Sequence, residues 1–306
     1  VSTAATTPVR NTGTAPTREE LLRNYLALVR SFFLKDVRVR YAGSLMGFFW
    51  TVVHPLLELM TYTFVFTVII GVSFHKGYST GTNALFLFCG MIPWLSVSES
   101  MNRCTSAFRD NAPLIKKLRF PPSVLCTYIV LVEGFNQLVR FALLCIAALI
   151  IGRGLSLDLL LVLPILIMQL LFTQGLGMLL ATTQVFFRDI KHLLGPALMI
   201  WMFITPIFYP ESLFPPKFSP VLMLNPLSHL VGIYRELILN HQFPAWGSVV
   251  IFGTSAVLTF ALGAFTFHRH SHEFPDLVCA APGGRRRGRW QTLASMGSAD
   301  MRSRIM

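Results

Sequence analysis

The sequence predicts an all-α integral membrane protein. It has six transmembrane helices, an N-terminal amphipathic interfacial helix, and short re-entrant helices between spans five and six. Three observations carry that prediction. Six long apolar stretches lie between residues 46 and 267, and a hydrocarbon core is crossed by about 20 mostly apolar residues of helix. Lysine and arginine crowd into alternate connections between those stretches. The connection between the last two stretches is apolar and rich in proline, unlike a solvated linker.

The stretches are residues 46–72, 84–97, 123–151, 159–187, 193–209 and 246–267. Lipid offers backbone N–H and C=O groups no partner, so a spanning segment must satisfy them internally. None of the six alternates with the dyad period of a barrel strand, so all are read as helices. The second is short but extends through the polar run from Ser98 to Met101, and the fifth is interrupted by Pro206 and is expected to break or stop early.

Composition agrees with this reading: hydrophobic residues make up 53% of the chain, charged residues 13%, and the formal net charge is +12. Seven lysines and arginines precede the first stretch, five lie between the second and third, two between the fourth and fifth, and seven follow the sixth. The other connections hold one, one and two, and Arg140 lies inside the third stretch. Six crossings divide these cations 21 to 4 in favour of the side holding both termini, which the positive-inside rule makes the cytoplasm. A soluble nucleic-acid binder is excluded by the apolar runs, so no nucleic-acid partner is expected.

Residues 1–16, rich in Thr, Ala and Pro, are expected to form a disordered tail. No signal-peptide core lies in the first 44 residues, so no cleaved leader is expected and the first span acts as its own insertion signal. Thr17-Arg18-Glu19-Glu20 has the form of a capping box. Leu22, Tyr25, Leu26, Val29 and Phe33 then share one helical face, as in a helix lying on the cytoplasmic membrane surface.

Between spans two and three, Asp110, Asn111, Leu114, Ile115, Lys116, Lys117, Leu118 and Arg119 fit two turns of helix stopped by Pro121-Pro122. Its residues suit a lipid-surface anchor or a docking element equally well. In span three, Glu133, Gln137 and Arg140 share a face and are read as a structural polar cluster inside the bundle. Residues 209–243 hold five prolines between apolar runs, which points to short re-entrant helices buried in protein. Arg235 and Glu236 are read there as local hydrogen-bond partners. The scattered cysteines Cys89, Cys104, Cys126, Cys145 and Cys279 read as packing residues. His268 and His272 share a face beside His270, but no completing ligand follows, so no metal site is expected.

Three places carry a family resemblance. Asp36-Val37-Arg38-Val39-Arg40-Tyr41-Ala42-Gly43-Ser44 leads into Leu45-Met46-Gly47-Phe48-Phe49-Trp50 and then His54-Pro55-Leu56-Leu57-Glu58. Phe186-Phe187-Arg188-Asp189-Ile190-Lys191-His192 is followed by Thr205-Pro206-Ile207-Phe208-Tyr209-Pro210. Leu224-Asn225-Pro226-Leu227 precedes His229, Tyr234 and Arg235. In that order they resemble the membrane permease subunits of bacterial type-2 ABC exporters for cell-surface polysaccharides, which carry O-antigen, teichoic acid and capsule chains. The resemblance spans residues 18–278 and implies a permease domain over 17–278, leaving 279–306 as a basic tail. That tail either touches anionic lipid or is unstructured.

The resemblance implies a homodimer in the bacterial cytoplasmic membrane, paired with two copies of a cytoplasmic ABC ATPase. The chain itself has no G-x-x-x-x-G-K-[ST] phosphate loop. It is therefore read as a transport permease, not an enzyme, with no cofactor of its own and with ATP and Mg on the partner. The resemblance makes Asp110, Asn111, Leu114, Ile115, Lys117 and Leu118 a coupling helix seated on the ATPase, and brings Arg188 and Asp189 near the same interface. Interfacial capping, with Arg188 snorkelling to headgroups, is the plainer reading of that pair.

Intramembrane polar residues are costly. On the first span Trp50, His54 and Glu58 are spaced i, i+4, i+8, continued by Tyr62. On the fifth, Trp201, Thr205 and Tyr209 repeat the spacing, with Phe208 beside them. Aromatic faces stack on sugar C–H groups, while carboxylate and imidazole exchange hydrogen bonds with hydroxyls. The resemblance places the translocation path along these two spans; aromatic packing between helices is the alternative. Arg38 and Arg40 suit a lipid phosphate. The leading function is ATP-driven movement of a lipid-linked polysaccharide from the cytoplasmic to the outer leaflet. A drug or small-lipid exporter is the second reading, and a membrane-embedded transferase acting on polyprenyl-linked sugars the third.

Overall fold

The computed structural model describes residues 17–41, 49–71, 79–117, 121–152, 154 and 157–271. The two expected tails, the motif residues 42–48, Leu118 and His272 lie outside the described residues, as do the side chains of Arg40, Leu114 and Lys117. Every regular element among the described residues is helical. The order is α1 (Arg18–Tyr41), α2 (Trp50–Thr63) continuing as a π-helical turn (Phe64–Ile69), α3 (Thr80–Asp110), α4 (Ala112–Lys117) and α5 (Ser123–Ile150). After these come α6 (Val162–Phe186), α7 (Ile190–Ile204), α8 (Ser219–Leu224), α9 (Pro226–Arg235) with a π-helical end (Glu236–Asn240), and α10 (Trp246–His270).

Among the described residues, five helices are long and apolar enough to cross a membrane: Val52–Ile69, Thr80–Asp110, Ser123–Ile150, Asp158–Phe186 and Trp246–His270. The fifth apolar stretch forms only the 15 residues of α7, about 22 Å of helix against a hydrocarbon core of about 30 Å. It stops early because Thr205 precedes Pro206, whose ring disfavours the helical region at the preceding residue. Thr205 takes φ −77° and ψ 132°.

The second stretch is longer than its apolar core suggests. α3 runs 31 residues, from a Ser79 cap whose hydroxyl accepts from Thr82 N, to Asp110. It is the axis of the fold: 78% of its most apolar window is buried, against 6% for α2. Leu87, Cys89, Ile92 and Val97 of α3 are fully enclosed. By contrast Phe49, Leu57, Met60, Phe64 and Val68 of α2 are exposed, and only its Leu59, Tyr62 and Phe66 side pack against the core.

The capping box at the start of α1 forms as its residues predict, with Thr17 N donating to Glu20 Oε2 (3.1 Å) and Glu20 N to Thr17 Oγ1 (3.4 Å). The face assigned to lipid is divided, however. Tyr25 is hydrogen-bonded to Thr127 Oγ1 at 2.8 Å, Phe32 stacks on Tyr128, and Phe33 meets Phe135 edge-on, so this side of α1 packs along α5. Leu21, Leu22 and Leu26 remain exposed. The helix thus has a protein side and a lipid-ready side, and periodicity alone does not separate the two.

α6 and α10 run parallel and in close contact. Phe172 meets Phe252 at 5.8 Å near one end, and Phe186 meets His270 at 5.2 Å at the other. Between them the backbones approach at Gly175 and Gly263: a Cβ added at Gly263 would lie 2.3 Å from the Gly175 carbonyl oxygen. Lipid supplies little hydrophobic drive between helices, so such close small-residue contact does much of the holding. Gly263→Val should therefore lower stability by about 3 kcal/mol. Thermal unfolding of the detergent-solubilised protein is the check, with Gly247→Val unchanged because nothing lies within 4 Å of a Cβ there.

Candidate functional site

A polar stripe runs along α2. His54 Nδ1 lies 3.3 Å from Glu58 Oε1, one turn apart, and their side chains are 72% and 29% exposed. Trp50 is exposed one turn earlier. Arg140 of α5 and Glu99 of α3 lie within electrostatic range of Glu58, so the charged surface crosses three helices. Charges held at an outer face in an apolar setting need water or a polar ligand. Glu99 was not singled out from sequence; a lone exposed carboxylate inside an apolar helix was the available signal.

Further along α2 the stripe turns inward. The Tyr62 ring lies 5.2 Å from Phe208, and Phe66 stacks on Phe208 at 5.0 Å with an 8° interplanar angle. The first and fifth spans are thereby brought together, at an aromatic contact inside the subunit. The second stripe does not continue through one helix, because α7 ends at Ile204. Trp201 Nε1 donates to Asn225 Oδ1 at 2.9 Å, and Asn225 Nδ2 donates to Thr205 Oγ1 at 2.9 Å. Tyr209 OH donates to Phe203 O at 2.8 Å. Thr205 and Phe208 are buried, and these residues secure the unwound segment after α7 to α8 and α9.

Arg235 completes that attachment. Its Nη1 and Nη2 donate to Pro206 O (2.6 Å) and Ile207 O (2.7 Å), and its guanidinium sits 3.6 Å from the centre of the Phe86 ring. Non-helical carbonyls buried in an apolar setting require such a donor, and the cation gains from the aromatic face. Gly90 leaves the space, since a Cβ there would stand 3.1 Å from Arg235 Nη2. Glu236 Oε2 accepts from Ala245 N at 2.9 Å. Both residues are thus local partners, as read from the sequence.

Deeper in the bundle, the cluster read on the third span divides: Gln137 and Glu133 enter two different sets of hydrogen bonds, and Arg140 lies in electrostatic range of Glu58 on α2. Gln137 Nε2 donates to Tyr234 OH at 2.7 Å, while Gln137 and Gln169 exchange amide hydrogen bonds at 2.8 and 2.9 Å. Gln169 Nε2 also reaches Pro93 O at 3.2 Å. Glu133, 1% exposed, has a partner that sequence reading missed. Arg103, counted there among the loop cations, sits on α3. It donates to Glu133 Oε1 at 2.7 Å and to Asp36 Oδ1 of α1 at 2.8 Å. Asn136 Nδ2 donates to Glu133 Oε2 at 3.0 Å.

The proposed docking residues gather where α3 ends. Phe108 of α3 contacts Phe267 of α10 at 5.8 Å, so α3, α6 and α10 finish at one end of the bundle. Asp110 closes α3, Asn111 caps it by donating from Nδ2 to Ala107 O (2.9 Å), and α4 follows with six residues. Ile115 packs against the α1–α5 cluster. Arg188 and Asp189 are exposed in the turn between α6 and α7, where Gln184 Nε2 donates to Arg188 O at 3.1 Å. Arg38 is exposed on α1. At the end of α10, His270 Nδ1 is hydrogen-bonded to Thr266 O at 2.9 Å.

The sequence profile of the family described as ABC-2 type transporter matches residues 27–239. The chain is 30% identical over 260 residues to the O-antigen export system permease protein RfbA of Myxococcus xanthus, an alignment covering 84% of this chain and 97% of that protein. It is 31% identical over 245 residues to RfbA of Klebsiella pneumoniae, covering 80% and 92%. With the polysialic acid transport protein KpsM of Escherichia coli it shares 24% identity over 215 residues, covering 69% and 81%.

The Arg103 pairings make a direct prediction. Arg103→Met strands the buried Glu133 carboxylate, and breaking such a pair from one side costs about 4 kcal/mol. The double variant Arg103→Met/Glu133→Met should recover most of that loss. Thermal unfolding of the two variants in the same detergent measures both.

Proposed function

The chain belongs to the ABC-2 type transporter membrane family, and from that premise we propose that it is the transmembrane subunit of an ATP-driven polysaccharide exporter. In this reading it moves a lipid-linked glycan from the cytoplasmic to the outer leaflet of the bacterial cytoplasmic membrane. The observation that carries the reading is the polar surface on otherwise apolar helices, with His54 and Glu99 exposed and Glu58 and Arg140 half-buried beside them. A hydroxyl-rich chain in a hydrated path suits that surface, whereas a drug or small lipid calls for a drier, less polar one. The curated relatives are named for O-antigen and polysialic acid, both polysaccharides.

A sixth crossing suits this reading: α6 and α10 run parallel, and α7 with the unwound segment after it is the longest helix between them. α8 and α9 then act as short re-entrant helices at the outer end, with both termini cytoplasmic by the positive-inside rule. The exposed apolar side of α2 meets a second copy of the chain, making a homodimer with the two stripes facing the path. At the cytoplasmic end α4, flanked by Asp110, Asn111, Arg188 and Asp189, seats on an ABC ATPase, one per subunit, which supplies ATP and Mg chemistry. Leu114, Ile115, Lys117 and Leu118 form the contact with that groove. Trp50, Tyr62, Trp201 and Phe208 line or shape the path, and Arg38 and Arg40 hold the lipid phosphate at entry. The adjacent acidic pair Glu19-Glu20 is taken up by the α1 cap, with Glu20 accepting from Thr17 N, which favours the exporter over a metal-dependent transferase.

Reconstitution of this chain with its candidate ATPase in proteoliposomes tests the reading. ATP-dependent translocation of lipid-linked glycan is expected for the native pair. Glu58→Ala should lower transport about tenfold with ATPase binding intact, by loss of a charged hydrogen-bonding group. Leu114→Asp should abolish co-purification of the ATPase. Modification of a lipid-linked sugar without any ATPase would sink the exporter reading.

A further inference from the structure

At the end of the bundle opposite α4, the chain between α7 and α10, with the first turn of α10, frames an open-mouthed cavity of about 570 Å³, within the size range of small-ligand sites. Its floor is one face of α9 and its π-helical end, where Ser228, Gly232 and Glu236 fall at i, i+4, i+8. Glu211 and Phe214 form one wall, and Ser248 of α10 another.

Three features specify an occupant. Ser228 is 3% exposed and lines the cavity, yet its hydroxyl has no hydrogen-bond partner among the described residues. A buried hydroxyl in that state is costly, and turning about its side-chain bond toward the cavity would offer it to a ligand hydroxyl. Glu211 brings a carboxylate to the rim, an acceptor for further hydroxyls, beside Glu236, whose Oε2 is taken by Ala245 N. The Phe214 ring is backed by Tyr209, with centroids 6.0 Å apart and planes within 12°, so it presents a rigid flat face. His229 is already fixed, with Nε2 2.9 Å from Met223 O and Nδ1 3.4 Å from Ser248 Oγ. No lysine or arginine lines the cavity, which argues against a phosphate. Among the described residues no group of three metal-ligating side chains exists either.

Hydroxyl, carboxylate and one flat aromatic face form the chemistry that recognises a sugar ring. We propose that this cavity is a saccharide subsite on the outer face, separate from the α2 stripe, that holds one or two sugar units of the emerging chain. The proposal rests on the export reading. By holding sugar on the far side, the site disfavours backsliding between ATP cycles.

Saturation-transfer NMR on the full chain in nanodiscs tests it, with the methyl glycosides of mannose, rhamnose, galactose and N-acetylglucosamine as probes and ethanolamine as competitor. Gly232→Phe fills the floor without backbone collision, the nearest atom to an added Cβ being Glu211 Oε1 at 3.7 Å. Glu211→Gln removes a rim charge at an exposed position. At least one glycoside should bind, and both variants should weaken it about tenfold, the value of one charge-assisted hydrogen bond, with unchanged melting. No glycoside binding, binding indifferent to both variants, or displacement by ethanolamine would overturn the proposal. Translocation measured on the same preparations separates the two readings. Transport without glycoside binding removes the subsite alone, while glycoside binding without ATP-driven transport removes the export reading and leaves a sugar site.

Discussion

The pairing of Arg103 with Asp36 and Glu133 is the constraint on which the rest of the fold depends. One guanidinium reaches two carboxylates on two other helices, at 2.8 and 2.7 Å, so α1, α3 and α5 are fixed to one another by a single side chain. An ion pair in an apolar setting is stable only when its geometry is good and its remaining lone pairs are used. Asn136 meets that condition at the second Glu133 oxygen. Everything at this end follows from the lock: α1 lies along α5, α3 keeps its line down to Asp110, and α4 emerges at a set place below it. The surface proposed for the ATPase is therefore joined to this lock through α3.

The same solution recurs along the bundle. Gln137, Gln169 and Tyr234 join α5, α6 and α9, and Arg235 holds the unwound carbonyls of Pro206 and Ile207. Where no polar pair acts, glycine does, as at the α6–α10 approach. Helices in lipid gain little by hiding apolar surface from one another, so close contact and internal hydrogen bonds must specify the packing. α2 stands outside this scheme. It touches the bundle on one side only, and its polar stripe and exposed apolar side point away from it, as the proposed path and second subunit require.

Much of this was legible in the sequence because it is local. The capping box at Thr17 and the early stop of α7 before Pro206 follow from neighbours a few residues away, whereas Arg235 finds its carbonyls 28 and 29 residues back along the chain. The stripe of Trp50, His54 and Glu58 follows from helical periodicity, and it survives because α2 is unbroken there. The Trp201, Thr205 and Tyr209 stripe does not, since the helix that would align them ends at Ile204. Long-range pairing was hidden for a different reason. Arg103 looked like a loop cation because the polar run before it resembled a span end, and its partners Asp36 and Glu133 lie 67 and 30 residues away. The protein side of α1 was hidden likewise, because Tyr25 and Phe33 are equally suited to lipid or to α5.

The central claim is that the α2 stripe faces water within the membrane. Cysteine accessibility tests it most directly: His54→Cys and Glu58→Cys, compared with Leu258→Cys on the exposed apolar side of α10, in a background with Cys145 and Cys279 replaced by alanine. The account predicts that a membrane-impermeant maleimide labels positions 54 and 58 in proteoliposomes and spares position 258. Positions 54 and 58 as unreactive as 258 would mean that the stripe faces lipid or a dry contact, and would contradict a hydrated path along α2.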